Sequence, residues 1–422
     1  MKNITPLKIK YLFLVIGLSY ITGLYPVTTD IYLIIVFLIC ALYFTQKGFK
    51  YDRGIFYIIL FFSLINFISI FFFGPIQLST FFGMILRLLI PYYIIKIIGE
   101  DFIYIFEKTI YFFAIFSIPF YLLQFIIPGF FLNLTPYFEP MMTDIRYNAH
   151  IYNYMFHTVH FDSLTRNSGF TWEPGGFGYV IGIAIMFNVI RQNFTLSKRT
   201  LLLLLVGITT LSTTFYIFIL FLLIFYLYKK KRNLAVLVLG IPIIIIISIY
   251  TIQLPFVGDK IDANILNTQK MQKQNFELLD IEGVGRFYGF IIDFNKFVNY
   301  PLGYGVNTGA SLVNTLSEFV NGPSGLGRFL SIWGLAGFIY LILSINNLSN
   351  KLSIKYHTKQ KMFIMMTILL FLFSNPIERE PTFLMLLYFP AFILRKTNLT
   401  QEINNSIKQI PHKMEFRFYE KE

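Results

Sequence analysis

The sequence predicts an all-α, polytopic membrane protein with about twelve transmembrane helices. Of its 422 residues, 56% are hydrophobic and only 14% are charged, whereas about 25% of residues are charged in an average soluble domain. The mean hydropathy is +0.63, and the chain contains 50 Phe and 28 Tyr residues. A bilayer accommodates this much apolar surface, and a soluble globule does not.

Twelve apolar runs are long enough, or nearly so, to cross about 30 Å of hydrocarbon. They are 9–25, 30–45, 55–73, 81–98, 103–127, 175–190, 200–211, 213–228, 234–251, 326–346, 361–375 and 382–395. The short runs at 200–211 and 213–228 could form one long tilted helix. We predict two helices with a break near 211–214, because the charge distribution requires an even number of crossings there.

The charges predict the orientation. Twelve crossings put both termini on one side, together with residues 46–54, 96–108, 191–199, 229–232 and 347–361. These segments carry 25 of the 35 Lys and Arg residues but only eight of the 22 acidic residues. The positive-inside rule therefore places both termini in the cytoplasm, and it explains a net charge of +13 without nucleic-acid binding.

The chain therefore divides into six segments. They are 1–127 with transmembrane helices 1–5, the external loop 128–174, 175–251 with helices 6–9, the large external loop 252–325, 326–396 with helices 10–12, and the cytoplasmic tail 397–422. The large loop has about 74 residues, and it contains a predicted amphipathic helix at 286–298. Long ordered loops of this kind are usually functional. The first run reads as an uncleaved anchor, and the single cysteine, Cys40, excludes an intramolecular disulfide.

Several classes of function are disfavoured by missing motifs. The sequence has no phosphate-binding G-x-x-x-x-G-K-[ST] loop and no dinucleotide-binding G-x-G-x-x-G after a strand. We expect no carboxylate within the predicted spans, which argues against an ion-coupled transporter. Arg87 is the charged residue within a span. It is either a snorkelling or neutralised arginine, or an anion ligand at the floor of an external cavity.

The first external loop ends in RNSGFTWEPGGFG (166–178), just before a helix. Arg166 suits the recognition of phosphate or carboxylate. Glu173 and Pro174 lead into glycines whose backbone N–H groups, at a helix start, can face an anion. The alternative is a well-capped structural turn, and the spacing of Gly178 and Gly182 also suits close helix packing.

The second external loop ends in GRFYGFIIDFNKFVNYPLGYG (285–305), followed by NTLSEFVNGPSGLGRFLSIWGLAGF (314–338). Arg286 and Arg328 are therefore predicted to be external, like Arg166. Three arginines beside glycine turns are candidates for an anion site. The alternative is solvated surface charge.

These motifs, in this order, resemble the bacterial O-antigen polymerase (Wzy) and O-antigen ligase superfamily. The resemblance rests on R-x-x-G-x-x-x-E-P before a helix, G-R-x-x-x-F followed by P-L-G-Y-G, and a polar segment that leads into G-L-x-G. It implies a fold similar to the C-type glycosyltransferases, in the bacterial inner membrane, with an active site on the periplasmic or extracellular face.

The resemblance also implies a reaction. An oligosaccharide would pass from undecaprenyl diphosphate to a sugar hydroxyl with inversion, without metal or cofactor. Arg286 and Arg166 would bind the diphosphate, with Arg328 and Arg87 as further candidates. The implied partners are the lipid-linked oligosaccharide, membrane lipid and a chain-length regulator protein.

The resemblance leaves the general base open. Ligases of the superfamily often have a histidine in the large loop, and 252–325 has none; Asn307 and Asn314 occupy its polar stretch. This difference favours a polymerase, and Glu173 is our candidate for the base. A ligase that transfers finished chains to lipid A-core and a flippase for lipid-linked oligosaccharide remain as alternatives.

Other polar and aromatic groups have weaker interpretations. NPIEREP (375–381) contains Glu378, Arg379 and Glu380, which form either a mutually compensated ion cluster or a contact with substrate. Trp172, Tyr304 and Asn314 are candidates for contact with acceptor or sugar, although the two rings also suit an interfacial aromatic belt. His150, His157 and His160, and the pair Asp280 and Glu282, lack a convincing set of metal ligands. We therefore predict no metal.

Overall fold

A computed structural model describes residues 6–22, 29–127, 130, 152–153, 158–159, 166–229, 286–306, 324–378 and 380–394. Within these ranges the chain is almost entirely helical. The helices are α1 (Leu7–Ser19), α2 (Asp30–Gln46), α3 (Arg53–Phe73), α4 (Leu78–Ile98), α5 (Phe102–Ile126), α6 (Pro174–Arg191), α7 (Lys198–Thr209), α8 (Thr213–Lys229), α9 (Arg286–Asn299), α10 (Gly325–Lys355), α11 (Lys361–Ser374) and α12 (Pro381–Tyr388). A π-helical turn, Phe389–Ile393, continues α12, and Tyr152–Asn153 pairs with Thr158–Val159 as two antiparallel strands, β1 and β2.

The predicted runs coincide closely with these helices. Eleven of the twelve apolar runs lie on them, and the twelfth, 234–251, lies outside the described residues. The predicted amphipathic helix at 286–298 is α9.

Side-chain chemistry explains where several helices begin. The hydroxyl groups of Thr29, Ser197 and Ser324 accept backbone N–H groups at the starts of α2, α7 and α10. Pro174 and Pro381 are the first residues of α6 and α12. Both devices are common at helix N-termini, because the first turn has donors without intrahelical partners.

Four helical stretches among the described residues are long and apolar enough to span a bilayer: Arg53–Phe73, Leu78–Ile126, Pro174–Arg191 and Gly325–Lys355. Leu78–Ile126 contains two helices, α4 and α5, separated by a turn in which Gly99 has φ +67°. With 21 and 25 residues, these helices are about 32 and 38 Å long. The helices are thus those of a helical membrane protein.

The helices α7 and α8 are two separate elements, as the charge distribution predicted. Leu211, between them, has φ +47°, and Lys229 at the end of α8 donates to the carbonyl oxygen of Asn193 (3.2 Å), in the turn before α7. Thus α8 returns to the end of the bundle from which α7 started. The two helices form a hairpin.

The helix α6 is the central helix of the described bundle, and 89% of its span is buried. Gly182 lies against the ring of Phe371 on α11, and a Cβ atom at Gly178 would lie 3.4 Å from Cβ of Phe215 on α8. The predicted close packing at these glycines is therefore confirmed. By contrast, only 33% of the α3 span is buried, and Phe71 on it is 75% exposed. Such a surface suits lipid contact.

The two ends of the bundle differ in their polar groups. At the Glu107 end, where α6 ends and α7 begins, Glu107 is fully buried. It pairs with Arg191 (2.8 Å) and Arg199 (2.6 Å), and Asn188 donates to the same carboxylate (2.5 Å). The expectation that the spans contain no carboxylate is wrong for Glu107, which lies in the second turn of α5. Two guanidinium groups compensate its burial.

The helix α10 is broken at Gly334, which has φ +63° and ψ −166°. Residues 301–304 lie against this break. The backbone N–H of Leu335 donates to the carbonyl oxygen of Pro301 (2.8 Å), and that of Tyr304 donates to the carbonyl oxygen of Ser331 (3.0 Å). A Cβ atom at Gly303, which has φ +90°, would lie 2.5 Å from the backbone nitrogen of Gly334. Only glycine fits both positions, because of the close approach and the positive φ.

Replacement of either glycine should destabilise the fold. We expect Gly303→Ala and Gly334→Ala each to lower the free energy of unfolding by at least about 2 kcal/mol, because each adds a positive-φ penalty to a backbone clash. Thermal unfolding of the purified protein in detergent measures this. Gly83→Ala is the matched control, since the nearest atom to its added Cβ is Leu33 Cδ2 at 4.0 Å; equal stability of all three variants would contradict the description of the break.

The predicted orientation can be tested with single cysteines. The native cysteine, Cys40, is buried. Gln77, just before α4, and Lys359, just before α11, are exposed at opposite ends of the bundle. In intact cells, a membrane-impermeant maleimide should label the Gln77→Cys variant, and it should label Lys359→Cys only after permeabilisation. The reverse pattern would invert the topology.

Candidate functional site

The starts of α6, α10 and α12 form the Glu173 end of the bundle, and the first two lie close together. Asn375, the C-cap residue of α11, lies between them. A Cβ atom at Gly175 would lie 3.1 Å from Asn375 Oδ1, and Gly325 packs against the carbonyl oxygen of Asn375. Helix N-termini carry partial positive charge and unpaired N–H groups. Their convergence therefore favours an anion at this end.

Glu173 and Arg286 form an ion pair at this end. The terminal nitrogen Nη2 of Arg286 lies 3.1 Å from Oε1 and 3.3 Å from Oε2 of Glu173. Glu173 is the N-cap residue of α6, and Arg286 is the first residue of α9. The pair is partly exposed, with 36% of the Arg286 side chain and 17% of the Glu173 side chain accessible. The structure thus brings together two predicted site residues that are 113 positions apart.

Arg328 forms a second ion pair, in the first turns of α10. Its Nε lies 3.3 Å from Oε1 of Glu378, whose side chain is 1% exposed. Glu378 belongs to the α11–α12 turn, which was predicted to be a compensated ion cluster. A buried carboxylate needs such a partner, because its desolvation is otherwise very costly.

Asp293 on α9 adds a second buried carboxylate beside Arg328. The hydroxyl of Ser331 donates to its Oδ1 (3.4 Å), and Nζ of Lys296 lies 3.8 Å from the same atom. Burial raises the pKa of Asp293 to about 6, against the opposing effect of the Lys296 and Arg328 charges. Gly327 permits this packing, since a Cβ atom there would lie 3.1 Å from Asp293. The helix α9 is therefore anchored to α10 through a polar contact.

A cavity of about 320 Å³ lies beside these pairs. Its lining comes from the start of α2, the first half of α4, the helices α3, α10 and α12, and residues 306 and 378. The lining residues are Asp30, Phe62, Gln77, Ser79, Thr80, Gly83, Met84, Arg87, Leu88, Val306, Phe329, Trp333, Glu378 and Leu384. Arg87 thus faces a cavity, as its functional interpretation requires.

Glu380 precedes α12 and lies within electrostatic reach of Arg87 and Glu378. Burial raises its pKa to about 7, Arg87 lowers it and Glu378 raises it further. A carboxylate with this pKa exchanges a proton readily near neutral pH. The sequence marked the turn as an ion cluster and did not single out Glu380.

Arg166 lies at the turn between α7 and α8. Its Nε donates to the carbonyl oxygen of Thr210 (3.2 Å), and its Nη2 donates to that of Leu211 (3.4 Å). Arg166 therefore contributes these two hydrogen bonds to the turn between α7 and α8.

The two predicted aromatic contacts lie in different surroundings. The backbone N–H of Trp172 donates to the carbonyl oxygen of Ile21 (2.9 Å), and its ring is half-buried against the core. Tyr304 is 6% exposed and stacks on Phe73 with ring centroids 4.8 Å apart. Both rings contribute to packing.

Some predicted residues lie outside the described residues. They are Asn314, Arg379, Asn307, the histidines at 150, 157 and 160, Asp280 and Glu282. Among the residues that the structure describes, no group of three or more His, Cys, Asp or Glu side chains could hold a metal ion.

Comparisons of the chain with protein-family models, curated proteins and solved structures found no match. A functional proposal therefore depends on the motifs and on the geometry of the Glu173 end.

Several cavity residues had no distinguishing signal in the sequence. Trp333 lies within a predicted span, and Gln77 and Thr80 resemble ordinary polar residues at a helix start. Asp30 looks like a favourable acidic residue in a first helical turn. What makes these residues a group is the packing of α2, α3, α4 and α10, which no local pattern predicts.

Proposed function

We propose that the protein is a polysaccharide polymerase of the bacterial inner membrane. It joins undecaprenyl-diphosphate-linked oligosaccharide repeat units into an O-antigen or capsule-type polymer, by inverting, metal-independent glycosyl transfer at the external face. The proposal includes twelve transmembrane helices with both termini in the cytoplasm, in an arrangement similar to the C-type glycosyltransferases.

The contact between Glu173 and Arg286 is the observation that carries this proposal. Glu173 ends the R-x-x-G-x-x-x-E-P motif of the first long loop, and Arg286 begins the G-R-x-x-x-F motif of the second. Their ion pair joins both motifs at one end of the bundle, beside helix N-termini. This is the arrangement that a shared anionic substrate would need.

The chemistry requires few groups from the protein. The oxygen of an acceptor hydroxyl attacks the anomeric carbon, the bond from that carbon to the diphosphate oxygen breaks, and undecaprenyl diphosphate leaves with the electron pair. Arg286 and Arg166 would neutralise the charge that develops on the leaving group. Arg328 is paired with Glu378 and Arg87 lines a cavity together with two carboxylates, so we do not propose them as diphosphate ligands. Trp172, Tyr304, Asn314 and Arg379 remain candidates for contact with sugar.

The proton of the acceptor hydroxyl needs a carboxylate. Glu173 was the predicted base, but both oxygens of its carboxylate accept from Nη2 of Arg286. This contact suits a role for Glu173 in positioning the guanidinium of Arg286. Glu380, with a pKa of about 7, is better matched to general base catalysis near neutral pH. We therefore propose Glu380 as the base.

Deletion of the gene in its host, followed by gel analysis of the surface glycolipid, tests the proposed function. A polymerase predicts loss of the long ladder with a single capped repeat unit remaining. Loss of all caps with accumulation of lipid-linked long chains would instead identify a ligase. Repeat units trapped on the cytoplasmic leaflet would identify a flippase.

In the deletion strain, Arg286→Ala and Arg166→Ala should reach the membrane but fail to restore the ladder, because each removes a charge from the diphosphate site. Arg53→Ala is the matched control, since Arg53 is exposed at the start of α3, at the Glu107 end. It should restore full-length polymer. Normal ladders from both site variants would remove these arginines from the proposed site.

Glu380 should impose a pH dependence. The base must be deprotonated, so the rate of polymerisation should fall about tenfold per pH unit below pH 7 and level off above it. Purified protein with lipid-linked repeat units provides the measurement. Glu380→Gln should abolish the reaction, and Glu100→Gln, an exposed residue at the Glu107 end, should preserve the rate and its pH profile. An active Glu380→Gln variant would exclude Glu380 as the base.

A further inference from the structure

One wall of the cavity is aromatic. Phe62 on α3 and Phe329 and Trp333 on α10 line it. The rings of Phe62 and Trp333 meet edge to face, with centroids 4.6 Å apart. The edge-to-face contact fixes the orientation of the indole, because aromatic rings prefer this geometry.

The remaining lining includes polar side chains. Asp30 is at the start of α2, Gln77 and Thr80 are at the start of α4, and Arg87 is near the middle of α4. Together they offer carboxylate and amide oxygens as acceptors, a hydroxyl that can donate or accept, and amide and guanidinium donors. The cavity therefore pairs a flat apolar surface with several hydrogen-bonding groups of both kinds.

The charge around the cavity does not favour an anion inside it. Among the described residues that line the cavity, the guanidinium of Arg87 is accompanied by the carboxylates of Asp30 and Glu378, and Arg328 is paired with Glu378. A diphosphate would therefore gain no net attraction from these groups. A polar but uncharged ligand is the better match.

A pyranose ring has this combination of properties. Its C–H faces are apolar and carry slight positive charge, which suits the negative face of an aromatic ring, and its edge carries hydroxyl groups that donate and accept. A volume of about 320 Å³ lies at the lower end of the range for small-ligand sites. That volume suits one sugar ring, with the rest of a glycan outside.

We propose that this cavity is a binding subsite for one uncharged sugar ring, which lies on Trp333 and forms hydrogen bonds through its hydroxyls to Gln77 and Thr80. Its assignment to a glycan of the polymerised repeat unit rests on the proposed function. Sugar binding itself is a separate property and can be measured without turnover.

The fold holds Trp333 in place for this role. It directly precedes the break at Gly334, and residues 301–304 lie against that break. The backbone N–H of Val306, which also lines the cavity, donates to Oδ1 of Asn66 on α3 (2.9 Å). The segment that ends at Val306 is therefore part of the cavity wall.

The chain contains two tryptophans, so in the Trp172→Phe variant all tryptophan fluorescence comes from Trp333. We would titrate this full-length variant, in nanodiscs, with the free oligosaccharide repeat unit that mild acid releases from the host's polyprenyl-diphosphate-linked repeat unit by cleavage of the glycosyl phosphate bond. We expect a saturable change in tryptophan emission. Gln77→Leu and Thr80→Val, in the same background, should each weaken binding about 3- to 10-fold, the effect of one neutral hydrogen bond.

The matched control is Thr45→Val, an exposed threonine near the end of α2, which should bind the oligosaccharide unchanged. If Trp172→Phe does not fold, the native chain and the Trp333→Phe variant replace it: the emission change should be present in the first and absent in the second. A response to inorganic pyrophosphate but not to oligosaccharide would overturn the proposal, as would no response to either.

These outcomes are separate from those of the deletion experiment. A protein that restores the ladder but shows no emission change with the oligosaccharide would refute the sugar subsite and leave the polymerase intact. Saturable oligosaccharide binding by a protein whose deletion leaves the ladder unchanged would support the subsite and refute the polymerase.

Discussion

The backbone contact between Gly303 and Gly334 is the constraint on which the Glu173 end depends. Two chain segments meet there without side chains between them. The positive φ of Gly303 and of Gly334 turns each backbone so that the two segments can make this contact. Because α10 breaks at this point, its first turns are free to follow a different direction from the rest of the helix. Those turns carry Gly327, Arg328 and Trp333, which contact α9, the α11–α12 turn and the cavity.

The two ends of the bundle differ in how far the charge of their buried carboxylates is compensated. At the Glu107 end, one buried carboxylate has two guanidinium partners, so its charge is fully compensated and the network holds α5, α6 and α7 together. At the Glu173 end, the pKa values of Asp293 and Glu380 are raised to about 6 and about 7, because burial outweighs the nearby positive charge. Carboxyl groups with such raised pKa values cluster at functional sites.

The apolar sequence pattern predicted most of the fold, because bilayer-length hydrophobic runs leave little choice of structure. It also located α9, whose apolar and charged residues alternate with helical periodicity, and the break between α7 and α8. It could not predict which residues meet. Glu107 was missed because its partners Arg191 and Arg199 lie more than 80 positions away, and a carboxylate near a span end reads as a loop residue.

The same limit applies to the candidate site. The motifs identified Glu173 and Arg286 separately, but their contact depends on how α6 and α9 are oriented by the bundle. Gln77, Thr80 and Trp333 had no motif at all. Helix caps and apolar runs are local patterns, whereas a cavity is a property of four helices packed together, and sequence patterns carry little information about that packing.

In the proposed polymerase, the distribution of charge at the Glu173 end would provide two environments, one for the lipid diphosphate and one for the sugar. Arg286 is partly exposed beside a helix N-terminus, where its charge can reach an anion and where water can still solvate the lipid headgroup. The cavity lining combines Arg87 with the carboxylates of Asp30 and Glu378, so it would not compete for the diphosphate. Glu380 interacts electrostatically with Arg87, so a base there would lie near the proposed sugar subsite. If both the surroundings of Arg286 and the cavity were positively charged, the diphosphate would bind equally well in each. Such a site would not separate the diphosphate from the sugar.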